Sequence, residues 1–337
     1  MLKSKETVIA NRGLHSHKCK KKWQQLRSDV YHEYRRNWHE YPERQYLSPF
    51  PLHLDLDVTN ACNLRCKMCA RTIMIEKGNM PDIGFMDFDF VKHLIDEGAS
   101  QGLASIKFSF QGEPLLHPKI VEIVTYAKKA GIIDTMINTN GMLLTSEISE
   151  ALLDGGLDNI FFSIDSAHKE IYETIRPGAD YDKVVENILT FIRLRNLKEK
   201  NAVQVGVNMV VMEENKDEVD TFISQWSNIA DTVNWGLDHH FVLKENPDKT
   251  KDIKTEDDNF CCSQLWQRLI VNWDGECLPC CLDVERELVV GNAHNNSLQQ
   301  IWLNSPLYKL LREKHKSGNY QDIKRCKHCS FVLLKDT

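Results

Sequence analysis

Residues 52–69 read Leu52-His53-Leu54-Asp55-Leu56-Asp57-Val58-Thr59-Asn60-Ala61-Cys62-Asn63-Leu64-Arg65-Cys66-Lys67-Met68-Cys69. The first half alternates: Leu52, Leu54, Leu56 and Val58 are apolar, whereas His53, Asp55 and Asp57 are polar. A period of two belongs to a β-strand with one apolar and one polar face. Directly after it come three thiols in the spacing C-x3-C-x2-C. Three thiolates in one short loop can hold three irons of a cubane and leave the fourth without a protein ligand. An open coordination position makes a metal centre catalytic rather than structural. Three cysteines with one distant ligand also suit Zn²⁺.

Strands and helices alternate downstream of this stretch. Strands are expected over 105–110, 135–139, 159–164, 203–211 and 232–241, with helices over 88–95, 118–130, 146–153 and 182–194. Strands separated by single helices build parallel βαβ units. The fold class is therefore α/β, a partial (βα)6 TIM-like barrel over residues 49–242. Its lumen is expected to be wet, because the first strand is polar on one face. In βα barrels chemistry gathers at the C-terminal ends of strands, and that is where the cysteine loop falls. Residues 1–48 read as a polar, partly helical prefix. The Lys18–Lys22 run, His15, His17 and Cys19 are taken as ordinary surface features.

The bulk numbers are those of an ordinary globular chain with room for a sizeable core. The 337 residues are 42% apolar and 27% charged with a net charge of −6, which gives no general pull toward nucleic acid. No stretch is long and apolar enough for a membrane span, and the polar start lacks a secretory centre, so a cytoplasmic location is expected. Eleven cysteines are many, and they are clustered. In a reducing compartment such clusters mean metal ligands more often than disulfides.

Residues 243–260 are charged and read as a linker. Beyond them a cysteine-rich unit, 261–337, carries Cys261, Cys262, Cys277, Cys280, Cys281, Cys326 and Cys329. A hairpin turning near Gly275 would return Cys280 toward Cys262, and the final C-x2-C could close a four-thiolate site for zinc or a cluster.

The first motif resembles the signature of the radical S-adenosylmethionine superfamily. The resemblance implies a [4Fe–4S] cluster on Cys62, Cys66 and Cys69, with S-adenosyl-L-methionine chelated on the open iron and cleaved to a 5′-deoxyadenosyl radical. Gln111-Gly112-Glu113-Pro114 is similar to the family's GGEP segment, with Gln in place of the first Gly. Asn140, Ser163, Asp165 and Arg176 match family positions around the cofactor, Ser163 and Arg176 toward its carboxylate or ribose, and Met209 and Val210 toward adenine. The C-terminal unit resembles the SPASM/Twitch extension. That implies one auxiliary [4Fe–4S] cluster, on Cys262, Cys280, Cys326 and Cys329, with Cys261 and Cys281 as substitutes. Asp283 is the candidate base. The resemblance further implies an electron donor such as flavodoxin or ferredoxin. The substrate is expected to be a polar, sugar-like small molecule that is oxidised or otherwise modified; a peptide or protein side chain is the alternative. A metal-binding module without catalysis is the reading of another class.

Overall fold

The computed structural model describes residues 7–11, 14–18, 23–237, 260–327 and 329. Cys19, residues 19–22 of the lysine run and 243–259 of the expected linker lie outside them.

The alternating stretch forms β3 (His53–Leu56), with Leu54 and Leu56 in the main apolar core. It begins a run of parallel strands in chain order: β4 (Ser105–Lys107), β5 (Asp134–Thr139), β6 (Asn159–Ser163), β7 (Gln204–Val211) and β8 (Thr232–Leu237). Apolar residues on one face, among them Ile106, Ile137, Ile160, Val207 and Val233, pack against the intervening helices. These helices are α2 (Ala70–Glu76), α3 (Phe88–Ser100), α4 (Ile120–Lys129), α5 (Ser146–Asp154), α6 (Lys169–Ile175), α7 (Tyr181–Leu197) and α8 (Val219–Trp226). Several start at side-chain caps: Asp87 accepts from the Asp89 and Phe90 amides, Thr145 from Ile148 and Asp180 from Lys183. Each cap satisfies amides that have no partner within the helix.

The opposite strand faces make a polar lumen. Asp55 pairs with Lys107 at 2.6 Å and Arg268 at 3.1 Å, and Asn234 donates to Asn208 at 2.8 Å. Burial pushes the Asp55 carboxyl up, but the two cations more than reverse this and hold it well below the usual range.

Residues 1–48, read as a polar, partly helical prefix, also carry two strands: β1 (Thr7–Asn11) and β2 (Leu14–Lys18) form a hairpin, and β2 pairs antiparallel with β8. His15 stacks on Trp235 with centroids 5.5 Å apart, so it is not an idle surface residue. The helical region begins as a 3₁₀ turn at Trp23–Leu26 and becomes α1 (Asp29–Glu43) after the Ser28 cap. Between them the buried Arg27 pairs with Asp134 at 2.5 Å and reaches the Ile133 and Asp158 carbonyls. It thereby closes the barrel end where β5 and β6 begin.

The cysteine-rich unit is likewise continuous with the barrel. Its first strand, β9 (Arg268–Val271), pairs parallel with β3; β10 (Glu276–Leu278) and β11 (Gly291–Asn292) follow antiparallel, giving one sheet in the order β1-β2-β8-β7-β6-β5-β4-β3-β9-β10-β11. An incomplete barrel leaves the amides and carbonyls of β3 unpaired along one edge, and β9 covers them. Then come α9 (Leu298–Asn304), α10 (Pro306–Lys316) and the short α11 (Lys324–Lys327).

Candidate metal centre

The cysteine loop leaves the C-terminal end of β3 and is tied on several sides. Thr59 Oγ1 donates to the Gly84 carbonyl at 2.7 Å, and Asn60 bridges Asp82 and Gly84 with two bonds of 2.9 Å. The amides of Arg65 and Lys67 donate to the carbonyls of Pro177 and Ile175, and that of Glu113 donates to Ala61 at 2.7 Å. Leu64, Cys66, Met68 and Ile175 form a small buried cluster with Cys62 and Cys69 against it. Burial pushes the Cys62 thiol up and that of Cys66 up to about 11, and the three sulfurs act on one another's charge. Thiols so placed ionise readily only when a metal takes the proton's place.

Arg71 and Asp57 were not singled out by the motif. Arg71 is buried beside these thiols, with Nε donating to the Asn60 carbonyl at 2.6 Å. Asp57 Oδ1 accepts the Gln111 amide at 3.0 Å and the Gly112 amide at 3.5 Å, while burial raises its carboxyl to about 7. The alternation of the first strand was the available signal for Asp57.

The residues expected at the cofactor also hold the protein's own loops. A Cβ on Gly112 would lie 2.0 Å from the Thr59 carbonyl oxygen and 2.6 Å from that of Ala61. Gly112 therefore lets the loop after β4 pack closely on the cysteine loop. Gln111 Nε2 donates to the Val284 carbonyl at 2.9 Å. Glu113, at the N-terminus of a 3₁₀ turn opened by Pro114, accepts from the Leu115 amide, Thr139 Oγ1 and the Asn140 amide, so its carboxylate is bound within the protein. Asn140 Nδ2 donates to Asn63 Oδ1 at 2.9 Å, which places it on the cysteine loop. Ser163 ends β6, half-buried, in register with Asn208. Asp165 binds Arg176 at 2.6 Å and accepts the Val210 amide at 2.8 Å. Arg176 Nη1 also lies 3.5 Å from Cys66 Sγ. Met209 is buried in the main core, not in the lumen, whereas Val210 packs on the cysteine-loop cluster.

In the C-terminal unit, Phe260 and Tyr320 pack with Cys262, Cys326 and Cys329. Burial pushes the Cys280 thiol well up, and the charges of Cys281, Cys262 and Cys329 add to this. Cys280 Sγ accepts the Leu282 amide at 3.4 Å. The structure thus brings Cys262, Cys280, Cys326 and Cys329 together, with Cys281 beside them. Cys261 accepts from Gln45 Nε2 at 3.6 Å, and Cys277 is sealed in the main core. Asp283, the candidate base, is held by backbone. Its two oxygens accept the Glu287 and Leu288 amides at 3.0 and 2.8 Å, and the buried carboxyl shapes a turn.

Among the described residues no three His, Cys, Asp or Glu side chains close to the spacing of a single bound ion. A cubane takes one thiolate per iron, and the grouped thiols of Cys62, Cys66 and Cys69 and of Cys262, Cys280, Cys326 and Cys329 are the donor type it needs. Among the same residues no helix is long and apolar enough to cross a membrane.

Comparison with known proteins bears on this geometry. The chain is 27% identical to the tungsten-containing aldehyde ferredoxin oxidoreductase cofactor-modifying protein of Pyrococcus furiosus, across 84% of this chain and 90% of that protein. Its fold resembles that of BtrN, crystallised in complex with AdoMet and 2-DOIA, with TM-score 0.54 and 20% identity over 86% of this chain and 97% of BtrN. It also resembles Streptococcus suis SuiB bound to precursor peptide SuiA, with TM-score 0.59 and 16% identity over 90% and 77% of the two chains. The model of an iron-sulfur cluster-binding domain, SPASM, matches residues 261–330. The Radical SAM superfamily model matches residues 56–225, half of the chain and the whole of the cysteine loop, and the chain belongs to that superfamily.

Proposed function

We propose that the chain oxidises a polar, sugar-like small molecule, using S-adenosylmethionine at Cys62, Cys66 and Cys69 and an auxiliary cluster at Cys262, Cys280, Cys326 and Cys329. The observation that carries the substrate class is the barrel interior. Lys107, Asn138, Ser163, Asn208 and Asn234 are half-buried on the lumen side, while the strand residues between them, among them Ile106, Ile137 and Val207, are fully buried on the helix side. Lys107 and the Asn208–Asn234 pair are already partnered, but Asn138 Oδ1 is buried without a hydrogen-bond partner, and leaving it so costs about 1–3 kcal/mol that a hydroxyl would recover. The likeness to BtrN with 2-DOIA and to a cofactor-modifying protein supports a small molecule.

When bound, the first cluster and S-adenosylmethionine together supply a radical able to take a hydrogen atom from carbon. Loss of that hydrogen atom leaves a carbon radical on the substrate, and reaching the carbonyl then releases a proton and one electron, which the auxiliary cluster would accept. Asp57 Oδ2 is buried without a hydrogen-bond partner, at the C-terminal end of β3. A carboxyl poised at about 7 exchanges a proton near neutral pH, so this atom is the proton acceptor of the reading. A flavodoxin or ferredoxin would deliver the reducing electron, in a cytoplasmic setting. The second reading, modification of a peptide, is favoured by the likeness to SuiB with its precursor peptide.

The test is anaerobic reconstitution with iron and sulfide, followed by dithionite and S-adenosylmethionine. 5′-Deoxyadenosine should appear. Its absence from iron-loaded protein, or zinc in place of iron, would favour a binding module. Incubation with polyols and with peptides then separates the two substrate readings.

A further inference from the structure

The loop bearing Cys62, Cys66 and Cys69 is flanked by two buried guanidinium groups. Arg176 Nε lies 2.6 Å from Asp165 Oδ2, Nη2 lies at the same distance, and Nη1 points to Cys66 Sγ at 3.5 Å. All three nitrogens are thus engaged. Asp165 is held in turn by the Val210 amide at 2.8 Å and, through its backbone carbonyl, by Asn215 Nδ2 at 2.6 Å. The same segment clamps the loop on both sides of Cys66, since Ile175 and Pro177 accept the Lys67 and Arg65 amides. Arg176 therefore cannot drift from the sulfur without breaking several bonds. Across the loop, Arg71 is 2% exposed; its Nη1 is buried without a hydrogen-bond partner, and the charges of Cys62 and Cys69 act on it.

Reducing an iron-sulfur cluster adds one negative charge. Fixed cations and N–H···S bonds favour the reduced form, more strongly where water is excluded. We infer that Arg176, assisted by Arg71, is a positioning residue that raises the reduction potential of the cluster on Cys62, Cys66 and Cys69, rather than the group that grips the carboxylate of S-adenosylmethionine. The inference rests on the proposed cluster at this loop and concerns how readily that cluster accepts its electron.

The test is a redox titration of the full reconstituted chain, followed by electron paramagnetic resonance. The signal that S-adenosylmethionine perturbs is assigned to this cluster. In Arg176→Gln the reduction equilibrium should become at least tenfold less favourable, a midpoint lower by about 59 mV. Arg176→Lys, which keeps the charge, should recover most of it, and affinity for S-adenosylmethionine should change less than threefold in both. An unchanged midpoint in iron-loaded Arg176→Gln, with affinity lost tenfold or more, overturns the inference and leaves the cluster reading intact. Should Arg176→Gln fail to load iron, Arg71→Gln carries the test from the other side, with the same downward shift expected. A native chain that loads no iron at this loop overturns both readings.

Discussion

Gln111 Nε2 donates to the Val284 carbonyl at 2.9 Å, linking the loop after β4 to the segment just past Cys280 and Cys281. The backbone of that loop also packs on the segment that leads into the other thiol group, because the Gly112 position faces the Thr59 and Ala61 carbonyls. One turn of chain therefore contacts the surroundings of both candidate clusters.

Gly112→Ala tests this packing. Its methyl would meet the Thr59 oxygen at 2.0 Å, so backbone must move. Overpacking of this kind costs about 1–3 kcal/mol. Urea unfolding should show the loss, and iron loading at the first loop should fall because the carbonyls that shift belong to that loop.

The thiols divide into groups with separate phenotypes. Cys66→Ala should abolish formation of 5′-deoxyadenosine. Cys329→Ala should remove the auxiliary cluster, seen in iron content and resonance spectra, and leave cleavage of the cofactor in place. Cys261→Ser should retain both clusters, since that thiol faces Gln45.

Asp57 predicts a pH dependence of stability. Its carboxyl rises from 3.8 to about 7, chiefly by burial, with the amides of Gln111 and Gly112 and the charge of Arg286 opposing. Between these values the folded chain holds a proton that the open chain has lost. Stability contributed here therefore falls as pH rises from about 4 to 7 and levels off above. Glu113 is raised by burial and slopes the same way, so the quantity to measure is the difference between native protein and Asp57→Asn. The variant should show a shallower decline in urea midpoint across that window; an identical slope would refute the assignment.

Arg27→Met should destabilise the fold by about 3–5 kcal/mol, because it leaves Asp134 buried without its cation. Pairing it with Asp134→Asn should recover much of the loss in a double-mutant cycle.

The barrel was legible in the sequence because alternating strands and amphipathic helices leave local patterns. Within the barrel three helices escaped notice. α2, α6 and α8 have seven, seven and eight residues, and α2 hides its pattern by burying Arg71. The pairing of β9 with β3 left no local trace, since a strand's partner is chosen by an open edge far away in the chain. The cysteine trio was readable from spacing alone. The work of Gln111, Arg176 and Asp283 was not, because it depends on contacts that only folding creates. Met209 is a different case. Val205 and Val207 share its parity along β7 and point to the core, so the period of two already assigned it there.

The pairing of β9 with β3 has one more consequence. Val271 accepts the Asp57 amide at 2.9 Å, five residues before the first thiol of the loop, while Cys277 pairs back to Val271 on β10. The two redox groups are therefore mounted on a shared backbone frame and are not carried by bodies that swing apart. A truncation before residue 260 would strip away a stave of the barrel along with the second thiol group. Strand register therefore sets the distance between the two thiol groups, and anything that passes from one to the other crosses a span fixed by the sheet.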